Sequence, residues 1–245
     1  GQSATEYGER TSQLDRFRTN RDIIYIDQRG TGGSHALNCN MYGEDLQSHF
    51  RELFPVQMVR SCREKLEQLA DLTAYTTPIA MDDLNEIREV LGYKKINLYA
   101  SSYGTWAALE LLRTHSDHVR SAVLAGTATV QAKFPVHFAQ GAQNAMDLLI
   151  DDCMKDELCA SAFPDLRRDF GKVLADLREK PASFSLEGVT IVLTYDGSTE
   201  RLRLMLYDLP SASRIPSMIN QAARNNWIPF AVAALARSRQ SANLL

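Results

Sequence analysis

A chain of 245 residues, 44% apolar and 23% charged, is long enough to bury one large core or two modest ones. Its net charge is −3 with acids and bases interspersed, which argues against nucleic acid or an anionic membrane as a partner. No apolar stretch reaches the roughly 18 residues of a transmembrane helix, and no signal peptide is visible in a chain that opens Gly1-Gln-Ser-Ala without a Met.

Residues 1–21 are polar and aperiodic, an irregular opening. Asp22-Ile-Ile-Tyr-Ile26 is a short β-branched apolar run and predicts a buried strand of a parallel sheet. It leads into Asp27-Gln-Arg-Gly-Thr-Gly-Gly-Ser34, whose glycines allow the chain to fold back at the strand's carboxyl end. The loop lacks the Lys-Ser/Thr of a P-loop, and His35 stands where a dinucleotide fingerprint needs glycine, so it is no phosphate cradle. Pairing of Asp27 with Arg29 beneath the loop is the expected way of fixing its shape; a solvated turn is the alternative.

Residues 35–57 read as loop, and Val59 to Leu69 as a helix with Val59, Cys62, Leu66 and Leu69 on one face. Thr77 with Pro78 opens a second helix through Met81, Leu84, Ile87, Val90 and Leu91, and Gly92 ends it. Ile96–Tyr99 is a strand, and Ala100-Ser-Ser-Tyr-Gly104 a corner from which a helix leaves over about Thr105 to Arg113, with Trp106, Leu109 and Leu112 apolar. A small-x-Ser-x-Gly corner between strand and helix is the context of a nucleophile elbow with Ser102 at its tip. Alanine stands at position 100 where glycine is usual, which adds one methyl group without forbidding the turn. The plainer reading is an ordinary strand-to-helix turn with Ser101 or Ser102 capping the helix.

Val119 to Gly126 supplies the next strand, so strands at 22–26, 95–99 and 119–125 alternate with helices in the pattern of a parallel sheet covered by helices. Ligands of such sheets bind beyond the strands' carboxyl ends, where both Asp27–Ser34 and Ser102 fall. Residues 134–151, 164–179, 199–208, 213–224 and 229–239 support helices, and Val189–Thr194 a strand. Asp196-Gly197 fits a hairpin turn or the lead-in to a helix capped at Ser198 or Thr199, and the spacing of Leu202, Leu206 and Leu209 favours the helix. The expected division is thus residues 1–128 as a sheet-bearing core and 129–245 as a mainly helical cap.

The four cysteines form two local groups, Cys39 with Cys62 and Cys153 with Cys159, at spacings unlike a zinc knuckle or a redox C-x-x-C. Two disulfides in an oxidising compartment and four thiols in the cytosol both fit.

Asp27–Ser34, Ala74-Tyr-Thr-Thr77, Asp82-Asp-Leu84, Asn97–Gly104 and His118–Gly126 together resemble α/β-hydrolases of the proline iminopeptidase and tripeptidyl aminopeptidase group (TAP-like). The resemblance covers most of the chain, and the D-Q-R-G-x-G-x-S loop is its most specific part. It implies an α/β-hydrolase fold, a mostly parallel sheet with flanking helices and a helical cap, here without the C-terminal sheet strands. It implies Ser102 as nucleophile and the backbone N–H of Tyr103 as one oxyanion donor, with Gly1-Gln-Ser-Ala resembling the tail of the loop that gives the other. The tripeptidyl aminopeptidase branch further implies Cys39–Cys62 and Cys153–Cys159 as disulfides and a periplasmic or secreted protein. Ala100, and Ala125 where many relatives carry Asp, depart from the pattern.

A serine hydroxyl needs a base within hydrogen-bond reach and a third group orienting that base. In this fold the order along the chain is serine, acid, histidine, and the last histidine here is His137. His115 and His118 fall on the helix-to-strand connection at the opposite sheet edge, while His35 and His137 are weak candidates for the base. The chain therefore reads as a fragment whose catalytic acid and histidine lie elsewhere, inactive or poorly soluble alone. The leading expectation is a serine aminopeptidase-type exopeptidase that releases residues from peptide amino termini, with no metal or organic cofactor. Asp151, Asp152, Asp156 and Glu157 are candidate partners of the substrate ammonium, or a solvated helix end. A small-ester hydrolase of the same fold and a non-catalytic binding module are the alternatives, and oligomeric state is not legible.

Overall fold

A computed structural model describes residues 3–10, 17–39, 45–52, 54–131, 133 and 136–242. The chain divides into two compact units, one of residues 1–39 and 61–133, the other of residues 40–60 and 134–244.

The first unit carries helices α1 (Ala4–Arg10), α2 (Val56–Glu67, which begins in the other unit's stretch), α3 (Thr77–Val90) and α4 (Tyr103–His115). Its strands are β1 (Ile96–Ser101) and β2 (Val119–Ala125), parallel and paired from Ile96↔Val119 to Ser101↔Ala125. A parallel pair needs a crossover, and α4 supplies it. Helix α3 opens one residue earlier than expected: Thr76, not Thr77, is the extended N-cap residue, without a side-chain capping bond, and the proline stands in the first turn. Ala80 and Met81 of α3 meet Ala107 and Leu111 of α4, with Ile96, Leu98 and Val119 packed against them. The buried residues of α4 are Thr105, Ala107, Ala108, Glu110 and Leu111. Trp106, Leu109 and Leu112, the face expected from the sequence, are only half-buried. Val59 and Leu69 also stay exposed, and α2 buries none of its residues.

The expected strand at 22–26 does not form: the run makes no ladder with β1 or β2, and Ile24 is 45% exposed. An apolar β-branched run becomes a strand only where a neighbour takes its N–H and C=O groups. Helices cover one face of the β1–β2 pair, and on the other the partners Tyr99 and Val123 are exposed.

The second unit contains α5 (Phe138–Lys155), α6 (Glu157–Ala162), α7 (Leu166–Glu179), strands β3 (Ala182–Leu186) and β4 (Val189–Leu193), and α8 (Tyr195–Met205) to α11 (Ile228–Ala242). Between the last two lie α9 (Leu209–Ala212) and α10 (Ile215–Ala222). The hairpin corrects the expectation of a lone strand. β3 and β4 pair antiparallel through Glu187 and Gly188, both at positive φ, as a two-residue primed turn requires. The amide of Gln47 extends this sheet, accepting from the Val192 N–H at 2.7 Å and donating to its carbonyl at 2.8 Å. Helix α8 is the expected helix, but Thr194 caps it rather than Ser198 or Thr199, accepting from the Gly197 N–H. Ile150, Leu166, Ile191, Leu193, Ile215 and Phe50 lie at the centre of one large core.

Gly197 packs against a backbone carbonyl: a Cβ there would lie 2.2 Å from the Phe50 oxygen. Alanine gains about 1 kcal/mol of helix propensity over glycine, but overpacking against immobile backbone costs about 1–3 kcal/mol. Gly197→Ala is therefore expected to lower the urea midpoint of unfolding. An unchanged or raised midpoint would refute this packing.

Both cysteine pairs are joined. Cys39–Cys62 spans a sequence separation of 23, and Cys153–Cys159, with a separation of 6, ties the end of α5 to α6. Among the described residues no helix is long and apolar enough to cross a membrane.

Candidate active site

The β1–α4 corner is held in a conformation that serine rarely adopts. Ser102 has φ 52° and ψ −126°, outside the regions open to L-residues and costing about 1–3 kcal/mol. Such strain persists only where the surroundings over-determine it. On the strand side the Ser102 N–H donates to the Ala125 carbonyl at 3.1 Å, continuing the ladder one residue past β1. On the helix side its carbonyl accepts from the Thr105 N–H at 2.9 Å and the Thr105 hydroxyl at 2.6 Å. Thr105 is fully buried, and its oxygen accepts in turn from the Ala128 N–H at 2.8 Å. The turn after β2 is thereby fastened to the elbow.

Strand and helix pass one another without crowding at Ala100 and Gly104. A Cβ on Gly104 would meet the Ala100 methyl at 3.6 Å, an ordinary contact. Alanine at position 100 is thus accommodated without displacement. Ser102 is the N-cap residue of α4 in position only: its side chain makes no capping hydrogen bond. Its hydroxyl is exposed and has no hydrogen-bond partner among the described residues. Tyr103 begins α4, and the N–H groups of a helix's first turn lack intrahelical acceptors. Its phenol oxygen lies 3.0 Å from Thr77 Oγ1 in the first turn of α3, and donates to Gln28 Oε1 at 3.3 Å. Three segments far apart in sequence meet at this one side chain.

Gln28 belongs to the glycine-rich loop, which differs from expectation in its charges. Asp27 and Arg29 do not pair with each other. Arg29 grips Asp83 of α3 through Nε at 2.6 Å and Nη2 at 2.5 Å, and donates to the Ala74 carbonyl at 2.9 Å. The hydrogen bond and charge of Asp83 raise the Arg29 pKa. A planar guanidinium matches a carboxylate at two points, which a neighbour two residues away in a tight turn does not offer. Asp27 turns instead to backbone and hydroxyl donors: Ser3 Oγ and the Thr5 N–H on Oδ1, Thr5 Oγ1 and the Gly33 N–H on Oδ2. Partial burial pushes its pKa up, but the hydrogen bonds from Gly33, Thr5 and Ser3 outweigh this and hold the carboxyl well below the usual carboxylate range. Gly32, at φ 45°, lets the chain pass beside Asp27, for a Cβ there would lie 2.2 Å from Oδ2. Of the opening stretch expected as an oxyanion-loop tail, Gly1 and Gln2 lie outside the described residues; Ser3 is buried against Asp27.

Two histidines sit away from the elbow, as their positions before β2 imply. His115 Nε2 is 2.9 Å from Asp82 and His118 Nδ1 is 2.7 Å from Asn85, the two rings stacked at the strands' amino ends. His35 follows the glycine-rich loop at φ 55°, and His137 directly precedes α5. Most of the acidic cluster in the second unit is engaged: Arg167 binds Asp147 and Asp151, Lys155 lies near Asp152, and Asp156 caps α6. Among the described residues no three of His, Cys, Asp and Glu converge to hold a metal ion. Asp83 and Thr105 are the residues that sequence reasoning missed. Asp83 was legible only as part of a familiar triplet, and Thr105 only as the third residue past the serine.

Residues 12–162 match the family model of the alpha/beta hydrolase fold. Two proteins named tripeptidyl aminopeptidase, from Streptomyces lividans and Streptomyces coelicolor, are each 28% identical over 116 residues. That match covers 42% of this chain and 21% of theirs, so it spans about a fifth of the relatives' length. A strand running into a strained serine corner, a helix leaving it, and a family match across both place the protein: it belongs to the alpha/beta hydrolase fold family.

Proposed function

We propose that the protein is a serine hydrolase of the aminopeptidase type, releasing residues from peptide amino termini through an acyl-enzyme on Ser102. The observation that carries this reading is the backbone of Ser102 at φ 52°, which presents an exposed, uncapped hydroxyl at the strand-to-helix corner. Ser102 Oγ attacks the scissile carbonyl carbon as its proton passes to a general base. The tetrahedral oxyanion forms facing the Tyr103 N–H, and the amine leaves carrying the proton. Water then hydrolyses the ester on Ser102 and restores the hydroxyl. In the serine–acid–histidine order of this fold, we assign the base and its orienting carboxylate to sequence outside residues 1–245. Preference for peptide amino ends is supported by the two relatives' name. Export to the periplasm or the medium is supported by the paired cysteines, since disulfides persist in oxidising compartments.

The test is a chromogenic panel on the full-length protein: tripeptidyl and single aminoacyl amides, with free and acetylated amino ends, beside a short aryl ester. Free-amine peptides are expected to be cleaved, with acetylation lowering kcat/KM at least about tenfold, the loss of one charge-assisted contact. Efficient turnover of the ester alone would replace the peptidase reading with that of a small-ester hydrolase.

A further inference from the structure

We propose that Thr105 is a positioning residue for acyl transfer: its hydroxyl grips the Ser102 carbonyl and thereby aims the Tyr103 N–H. The inference rests on the reading of Ser102 as nucleophile and of that N–H as an oxyanion donor. The Ser102 carbonyl and the Tyr103 N–H belong to one peptide unit, which is planar and trans, so the two groups point in opposite directions. Whatever fixes the oxygen fixes the N–H. The oxygen is held at two points by one residue, at 2.9 Å from the Thr105 N–H and 2.6 Å from Thr105 Oγ1. The main-chain contact alone leaves the plane free to tilt about it, while the hydroxyl adds a second direction of restraint. That hydroxyl is itself immobilised, because Thr105 is fully buried and its oxygen accepts from the Ala128 N–H at 2.8 Å.

A second hold acts on the nitrogen side of the same peptide. Tyr103 is 37% exposed, so burial alone does not fix its side chain. Its hydroxyl proton goes to Gln28, which leaves Thr77 as donor to the same oxygen. With donor and acceptor both in use, the phenol serves as an anchor rather than as a group offered to substrate. Catalysis gains from donors already aimed at the oxyanion, since they need no reorganisation as charge develops. A tilted peptide plane lengthens the bond made in the transition state and leaves ground-state binding nearly unchanged.

The experiment uses the full-length protein with a peptide substrate and a peptidyl trifluoromethyl ketone, which forms a tetrahedral adduct on a reactive serine. Thr105→Val keeps the shape and removes the hydroxyl. It is expected to lower kcat about tenfold with KM within about twofold, and to weaken ketone binding by the same factor as kcat/KM. Thr105→Ser, which restores the hydroxyl, is expected to recover most of the lost rate and affinity. An unchanged kcat in Thr105→Val, or a serine variant no better than the valine one, overturns the proposal. Should Thr105→Val not fold, Thr105→Cys, whose thiol is a weak donor, is read in the same way; failure of both to fold also overturns it. Ser102→Ala is measured alongside. If it still turns over, the nucleophile reading has failed; if it is inactive while Thr105→Val is not slowed, only the positioning role has failed.

Discussion

Replacing Ser102 by alanine in the full-length protein is expected to cut peptide turnover at least about 10⁴-fold, with KM little altered. The size follows from covalent catalysis. Without an oxygen on residue 102 there is no acyl-enzyme, and the residual rate is that of water attacking a carbonyl held in a partly formed site. Alanine also tests the backbone. Ser102 sits at φ 52°, its side chain makes no capping bond, and the corner is held by Ala125 and by Thr105. Removing the hydroxyl therefore leaves the elbow's restraints in place, and the thermal midpoint should move by less than about 2 °C, as for a surface change of a few tenths of a kcal/mol. Loss of activity together with loss of folding would instead make Ser102 a structural residue.

The second large effect is expected at Asp27, and there it is on stability. Two donors reach each of its oxygens: Ser3 Oγ and the Thr5 N–H on one, Thr5 Oγ1 and the Gly33 N–H on the other. In Asp27→Asn the amide nitrogen must face one of these pairs, donor against donor. A mispaired, partly buried group costs about 1–3 kcal/mol, so we expect a loss of about 2 kcal/mol at pH 7 in urea unfolding. The pH dependence has a definite sign. The carboxyl pKa is lowered in the folded state, so its stabilisation is complete above the unfolded value of about 4 and declines as pH falls toward the folded one. The gap between wild type and Asp27→Asn should accordingly shrink below about pH 4. A gap that stays constant down to pH 2 would mean that the charge is not what the four donors recognise.

What the sequence makes legible here is local. The elbow is readable because an apolar strand, a small-residue corner and a helix are contiguous between Ile96 and His115. The two parallel strands, the helix opened by Pro78 and the helices of the second unit follow from period and punctuation in the same way. The failures are where one segment depends on another. Asp22–Ile26 has the composition of a buried strand, yet a strand is a relation between two segments, and no ladder among the described residues includes it. Ala182–Leu186 alternates as an exposed-edge strand should, but its serines hid it, and it declares itself only through pairing with Val189–Leu193. Arg29 had an acid two residues away in sequence and chose one 54 positions on, because two-point geometry outweighs proximity along the chain. The acidic cluster at 151–157 likewise found Arg167, Lys155 and a helix end. Part of the candidate site was legible as a motif, the serine and the N–H after it. The residues that aim them, Thr105, Thr77 and Gln28, emerge only when three segments come together.

The central claim is that Ser102 is the nucleophile, and covalent labelling tests it most directly. Full-length protein treated with a fluorophosphonate, digested and sequenced by mass spectrometry should carry one adduct, on the peptide containing Ser102, at a stoichiometry that tracks lost peptidase activity. An adduct on any other serine, or inactivation with Ser102 unmodified, would contradict the account.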